Sequence, residues 1–392
     1  MSQSLIKTKD LLMRTPTGKP RARALGIPFR GTPGPNNAIT DVAGVEVGQV
    51  TLVEGNGELR VGEGPIRTGV TAILPRGRAG VGTPVAAGWH SLNGNGELTG
   101  TAWIEETGSL ATPVLITNTH AVGPCHRGAI DWIVKNKPEA AEAWLLPVVG
   151  ETYDGYLNDT NGAHVTAEHA VAAIESARSG PVEEGSVGGG TGMCSYGFKA
   201  GNGTASRLVD YDLDHYTVGA FAQANFGRRR ELMVAGRLVG AALDVENPME
   251  DPGRKLPPGA GSVIVVVATD APLLPGQSKA LARRVSLGLA RTGTSGSHFS
   301  GDIFLAFSTA NPGILGSRKG TNGGYDEMRF IPWGAMDPLY EAVVDCVEES
   351  VINAMVANET MLGRDDNCAP ALPHERLLHL LTQGGVSLTT AG

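Results

Sequence analysis

The sequence predicts a layered α/β fold in which sheets are covered by helices, and three observations carry that expectation. Short apolar runs at residues 70–74, 114–116 and 145–149, each bounded by Gly, Pro or Thr, read as buried strands. A few other stretches carry apolar residues at helical spacing instead. Glycine supplies 55 of the 392 residues, about twice the usual ~7%, and it follows no Gly-X-Y period, so the fold must turn tightly and bring backbones close together.

Taken in order, residues 1–30 are basic and proline-containing and read as an arm lying over the surface. After Ile39 the pattern changes, and Val45, Val47, Val50 and Leu52 are interspersed with polar or small residues in the manner of a strand. Beyond the buried runs, Thr166 is placed to cap a helix carrying Ala170, Val171, Ile174 and Ala177 on one face, with Glu168 in the first turn where the helix dipole favours an anion. Leu281, Val285 and Leu289 repeat every fourth residue within 277–291. Residues 338–358 show the clearest apolar stripe, with Leu339, Val343, Val347 and Val351 among its members and a proline in the first turn.

The sharpest change of composition lies at 246–261, ENPMEDPGRKLPPGAG, where four prolines and three glycines read as an exposed, flexible loop. Ser262 follows at once, and then VIVVVA at 263–268, which reads as a fully buried strand. The Gly261–Ser262 peptide is therefore expected at the rim of the core.

Composition excludes several function classes. With 41% hydrophobic and 18% charged residues the chain is globular, and no stretch approaches the ~18 apolar residues of a membrane span. The first residues lack the continuous apolar segment of a secretory signal, so the cytoplasm is expected. A net charge of -8 argues against a nucleic-acid surface, which needs a concentrated basic face. The one basic run, Arg228 to Arg230, fits a solvated strand end at least as well as a phosphate site. Cys125, Cys194, Cys346 and Cys368 lie far apart without a CxxC pair and are expected to be free thiols.

Among chemical motifs, the glycines of VGGGTGM (Gly188, Gly189, Gly190, Gly192) lack the lysine of a phosphate loop and read as tight backbone packing. In HAVGPCH, His120 and His126 flank Cys125, but a further ligand at a known spacing is missing, so no metal is expected there. A Gly-Ser pair ahead of a strand is ordinarily a turn. It has a chemical alternative: the Ser262 hydroxyl could attack the Gly261 carbonyl, pass through an ester and leave a chain that begins with Ser262. The freed α-amine, with an ordinary pKa near ~8, could then help deprotonate its own hydroxyl. Hydrolysis through such a serine nucleophile needs no metal and no organic cofactor.

Five blocks in order resemble one family: GETYDGYLND from Gly150, GGGTGMCSYGFKAGNGTASR from Gly188, QANFG from Gln223, GAGSVIVVVATDAPLLP around Ser262 and SGDIFLAFSTAN from Ser300. From about Gly26 onward the chain looks like the L-aminopeptidase/D-amidase-esterase and β-aminopeptidase enzymes, which mature by one internal cleavage. The resemblance implies an αββα sandwich, two sheets between helix layers, formed by a single catalytic domain cut into residues 1–261 and 262–392. It further implies a homo-oligomer, a tetramer of cleaved units, and short peptide, amide or ester substrates with a free amino end. It places the nucleophile on Ser262, proton relay on Ser300 and Asp302, the oxyanion donor on Asn225, and contacts to the substrate amino end on Glu151 and Tyr153. Some members carry Glu where this chain has Asp302, a shorter arm. Strand alternation agrees independently, since Ser300 and Asp302 share one face and Ile303, Leu305 and Phe307 the other. A related oligoamide endo-amidase or an acyltransferase is the nearest alternative, and a nucleotide- or metal-binding module is the alternative of another class.

Overall fold

The computed structural model describes residues 8–247, 261–317 and 324–389. Most of the proline-rich 246–261 loop read from the sequence lies outside the described residues.

Two sheets form the centre. One has four strands, β1 (Glu46–Glu54), β2 (Ile66–Leu74), β5 (Val114–Asn118) and β6 (Val148–Thr152), in the order β1-β2-β5-β6. The other has six, β3 (Val85–Ser91), β4 (Ser109–Leu110), β7 (Asn202–Tyr211), β8 (Asp214–Asn225), β9 (Gly261–Thr269) and β10 (Ser300–Ser308), in the order β4-β3-β10-β9-β8-β7. Each sheet contains one parallel pair, β5 with β6 and β9 with β10. Parallel neighbours need a long crossover, and each pair is bridged by a helix, α1 (Val122–Asn136) in the first sheet and α3 (Pro275–Arg291) in the second. Helix α2 (Ala167–Ser176) packs beside α1, and α4 (Asp337–Val356) beside α3.

Side-chain alternation makes the layers. Ile73, Ile116 and Val148 of the small sheet meet Phe221, Ile264, Val266, Leu305 and Phe307 of the large one between the sheets. The opposite face of the small sheet, with Val70, Leu115 and Val149, packs on Trp132, Ile133, Ala170 and Ile174 of α1 and α2. The opposite face of the large sheet, with Val263, Val265 and Phe304, packs on Leu281, Val285, Val343 and Val347 of α3 and α4. This is the αββα order. Because β9 is covered on both faces, its apolar run is continuous rather than alternating.

Two local readings need adjustment. The described part of the 1–30 segment is bound deeply into the fold, with Ala22 and Ile27 in the core. Arg21 Nε donates to Glu184 Oε2 at 2.7 Å, while Arg23 Nε and Arg207 Nη2 donate to Glu349 on α4 at 2.6 and 2.7 Å. Burial alone would raise the Glu349 pKa, but the guanidinium groups of Arg207 and Arg23 outweigh it and hold it at about 2. The segment is thus needed to neutralise a polar face of α4 that is itself buried. Second, Arg229 is not solvated: its guanidinium lies 3.6 Å over the Phe198 ring and donates to the Tyr196, Gly197 and Val245 carbonyls. Most of HAVGPCH belongs to α1 and its approach, and Cys125 faces the core, where burial pushes its thiol up to about 12. Gly188 to Gly190 form a buried turn; a Cβ on Gly189 would sit 2.4 Å from the Ile116 carbonyl oxygen, so close packing accounts for these glycines.

Candidate active site

Ser262 is the second residue of β9, and the antiparallel register sets it directly opposite Asn225 at the end of β8. It shares a face with Ile264 and Val266, so its hydroxyl opens into the mouth between the sheets. Gly261, just before it, must be glycine: an added Cβ would sit 2.1 Å from the Asn225 backbone oxygen. Its N–H donates to the Phe299 carbonyl at 3.2 Å, which anchors Gly261 to the residue just before β10.

The Asn225 side chain is held at both ends. Oδ1 accepts from the Cys194 N–H at 2.9 Å, and Nδ2 donates to the Tyr153 carbonyl at 2.8 Å. An amide nitrogen carries two hydrogens, so one donor remains for a ligand. Cys194 is carried on a short ribbon in which it pairs with Lys199, and Lys199 Nζ donates to the Met193 and Ala200 carbonyls at 2.8 and 2.5 Å. Burial lowers the Lys199 pKa to about 8.

Glu151 approaches from the facing sheet, near the end of β6. Its Oε1 accepts from the Glu97 N–H at 3.0 Å and its Oε2 from the Thr119 hydroxyl. Burial pushes its pKa above the usual carboxylate range, although both hydrogen bonds pull it down. Ser262, Asn225, Glu151 and Tyr153 line one cavity of about 560 Å³, together with Tyr156, Cys194, Phe299 and the 94–97 loop.

Ser300 and Asp302 lie elsewhere relative to this cavity. They share a face of β10 with Phe304, which packs toward the helices, so the pair occupies the side of the sheet away from the Ser262 hydroxyl. The parallel register sets Ser300 opposite Gly261 and Asp302 opposite Val263. The shorter arm of Asp302 still makes direct contact, since Ser300 Oγ donates to Asp302 Oδ1 at 2.5 Å. Asn93 Nδ2 donates to Oδ2 at 2.7 Å. Burial pushes the Asp302 pKa up against the pull of Ser300, Asn93 and the Val263 N–H.

Residues 37–369 match the sequence profile of peptidase family S58. The chain belongs to peptidase family S58. The S58 peptidase is 50% identical over 370 residues to the β-peptidyl aminopeptidase BapA of Sphingosinicella microcystinivorans, covering 92% of each chain. Its fold superposes with a TM-score of 0.86 on the L-aminopeptidase D-Ala-esterase/amidase of Ochrobactrum anthropi, at 47% identity and covering 94% and 99% of the two chains. A β-aminopeptidase of Burkholderia sp. follows at a TM-score of 0.82 and 46% identity, covering 93% and 99%. Membership makes this chain a serine aminopeptidase of the self-processing N-terminal-nucleophile class. None of its described helices is long and apolar enough to cross a membrane.

Sequence reasoning missed the S58 peptidase's 93–97 loop. Asn93 holds Asp302 through both its side-chain atoms, Asn95 Nδ2 donates to the Phe299 carbonyl at 3.1 Å, and the Glu97 N–H holds Glu151. The signal was the Asn- and Gly-rich SLNGNGE after a strand, which marks a turn but not its partners.

Proposed function

We propose that the peptidase matures by cleavage between Gly261 and Ser262, and that Ser262 then removes the N-terminal residue of short peptides, amides or esters. The observation that carries this reading is the cavity in which Ser262 and Asn225 face the Glu151 carboxylate across the two sheets. In maturation, Ser262 Oγ bonds to the Gly261 carbonyl carbon, the C–N bond breaks, and the nitrogen takes the hydroxyl proton. Water then hydrolyses the ester and frees the hydroxyl.

In turnover, the α-amine of Ser262 accepts the hydroxyl proton as Oγ attacks the substrate carbonyl, and it passes the proton to the leaving amine as the C–N bond breaks. Water then hydrolyses the acyl-Ser262 ester, releasing the N-terminal residue and restoring the hydroxyl. The remaining Asn225 N–H stabilises the developing oxyanion. Glu151 pairs with the substrate ammonium, and Tyr153 forms the wall beside it. Ser300 stands across the ladder from Gly261, and in this reading it hydrogen-bonds the freed amine while Asp302 orients Ser300. Their influence runs through the nitrogen in the sheet plane, which is compatible with a hydroxyl on the opposite face. The relatives' names point to β-peptide, L-aminoacyl and D-alanyl substrates, and all three classes are candidates here.

A mass spectrum of the active protein should show two fragments, residues 1–261 and 262–392, held together without a disulfide because each alone would expose sheet faces built for one core. An active preparation that remains one intact chain overturns the reading. The cleaved unit is proposed, on the family resemblance, to assemble as a homo-oligomeric tetramer; a sedimenting mass of one unit would refute it. Free cysteines support a reducing, cytoplasmic setting, and activity confined to an exported fraction would refute that.

Glu151→Gln should mature normally, since self-cleavage uses no substrate ammonium. It should lose about ten- to a hundredfold in kcat/KM on free-amine substrates, the worth of a charge-assisted hydrogen bond of roughly 1.5 to 3 kcal/mol. N-acetylated alanine anilide should suffer similarly with the unmutated enzyme. The preference for free over acetylated substrate should also fade as pH drops through the raised Glu151 pKa, because the protonated acid offers no counter-charge. Equal turnover of the two anilides by the unmutated enzyme would remove Glu151 from the substrate site.

A further inference from the structure

The groups assigned to the reaction are divided between the two sheets. Ser262 and Asn225 belong to the large sheet, while Glu151 and Tyr153 belong to the small one or follow its last strand. The distance from substrate ammonium to scissile carbonyl is therefore set by how the sheets are tied at this end. Apolar packing between sheets is non-directional and fixes such a spacing poorly. Directional hydrogen bonds fix it well.

Gln223 supplies such a tie. It lies two residues before Asn225 on the same face of β8, directly opposite Ile264. Its Nε2 crosses the gap and donates to the Thr152 hydroxyl at 2.7 Å and to the Thr117 carbonyl at 3.1 Å. Both acceptors adjoin Glu151: Thr152 follows it in the chain, and Thr117 is its partner across the parallel ladder. Thr152 Oγ1 in turn donates to Met193 Sδ at 3.0 Å, beside the Cys194 N–H that holds Asn225. One amide group thus joins β8, which carries Asn225 and is the ladder partner of the nucleophile's strand β9, to the two strands that carry or flank the ammonium site, one rung behind the cavity and buried from solvent.

We propose that Gln223 is a positioning residue that sets the spacing between Glu151 and Ser262, and so sets whether the enzyme favours α- or β-aminoacyl substrates. A β-residue inserts one carbon between ammonium and carbonyl, a step of roughly one bond length. Misplacement on the order of 1 Å costs about a hundredfold where reacting groups must align. The proposal rests on the roles given above to Glu151 and Ser262.

The test compares kcat/KM for the anilides of L-alanine and β-alanine in Gln223→Met, which keeps length without the donor, and in Thr152→Val, which removes one of the two acceptors together with the bond to Met193 Sδ. Asn202→Ala is the control: Asn202, the partner of Gln223 across the β7–β8 ladder, donates from Nδ2 to Thr71 Oγ1 at 3.0 Å and to the Val187 carbonyl at 2.8 Å, so it also ties the sheets, but to β2, two strands away from the β6 that carries Glu151. The ratio of the two substrates should shift about tenfold in Gln223→Met and in the same direction but less in Thr152→Val, with Asn202→Ala unchanged. If Gln223→Met fails to fold, the Thr152→Val ratio decides alone. An unchanged ratio in Thr152→Val and any folded Gln223→Met, or an equal shift in Asn202→Ala, overturns the proposal. Failure of the underlying reading looks different: the unmutated enzyme would then turn over acetylated and free anilides equally.

Discussion

Ser262→Ala is expected to remain a single chain of 392 residues with no measurable aminopeptidase activity. Maturation and turnover are assigned to the same oxygen, so one substitution should stop both. Losing the nucleophile of a serine hydrolase costs on the order of 10⁶ in kcat. The fold should survive, because β9 is held by Val263 to Ala268 packing on both faces and by ladders to β8 and β10. A melting temperature near that of the unmutated precursor, an intact mass and absent turnover would agree with the assignment. Cleavage at Gly261 in the alanine variant would show that another group attacks that carbonyl, and the role of Ser262 would fall.

The strands that carry the site were legible because their chemistry is local. VIVVVA after Ser262 can only be a covered strand, and the alternation of Phe221, Gln223 and Asn225 puts the three on one face whatever lies opposite. What faces them was not legible. Glu97 contacts Glu151 across 54 positions and Asn93 contacts Asp302 across 209, and no spacing rule spans such separations. The same limit explains α4, whose apolar stripe was readable although its polar face is also buried. Glu349 looks like a solvated acid until Arg23 and Arg207 arrive from distant parts of the chain. Arg229 failed for a related reason: a run of three arginines suggests solvent, and the Phe198 ring that receives it lies in another segment. Helix α1 was hidden by its own start, where glycine and proline in VGPCHRG masked the later Ile130, Trp132 and Ile133.

Asn225→Ala should slow the reaction about a hundred- to a thousandfold in kcat while changing KM little, which is the cost of one oxyanion donor. The donor acts on charge that exists only in the transition state, so ground-state binding should barely register its loss. The same substitution should slow fragment formation in fresh precursor, because attack on the Gly261 carbonyl also builds a negative oxygen beside Ser262. Alanine additionally strips the Cys194 N–H and the Tyr153 carbonyl of their partners, each worth about 1 to 3 kcal/mol, so the variant should be less stable. Asn225→Asp separates the two effects. Its carboxylate can keep the bond from the Cys194 N–H, yet it offers no donor and sets a negative charge where the oxyanion forms. It should therefore lose at least as much kcat as Asn225→Ala while retaining more of the structure around Cys194. Steady-state kinetics on an alanine anilide with both variants would decide the matter, and a raised KM with kcat intact would mean that Asn225 binds substrate and does not stabilise the transition state.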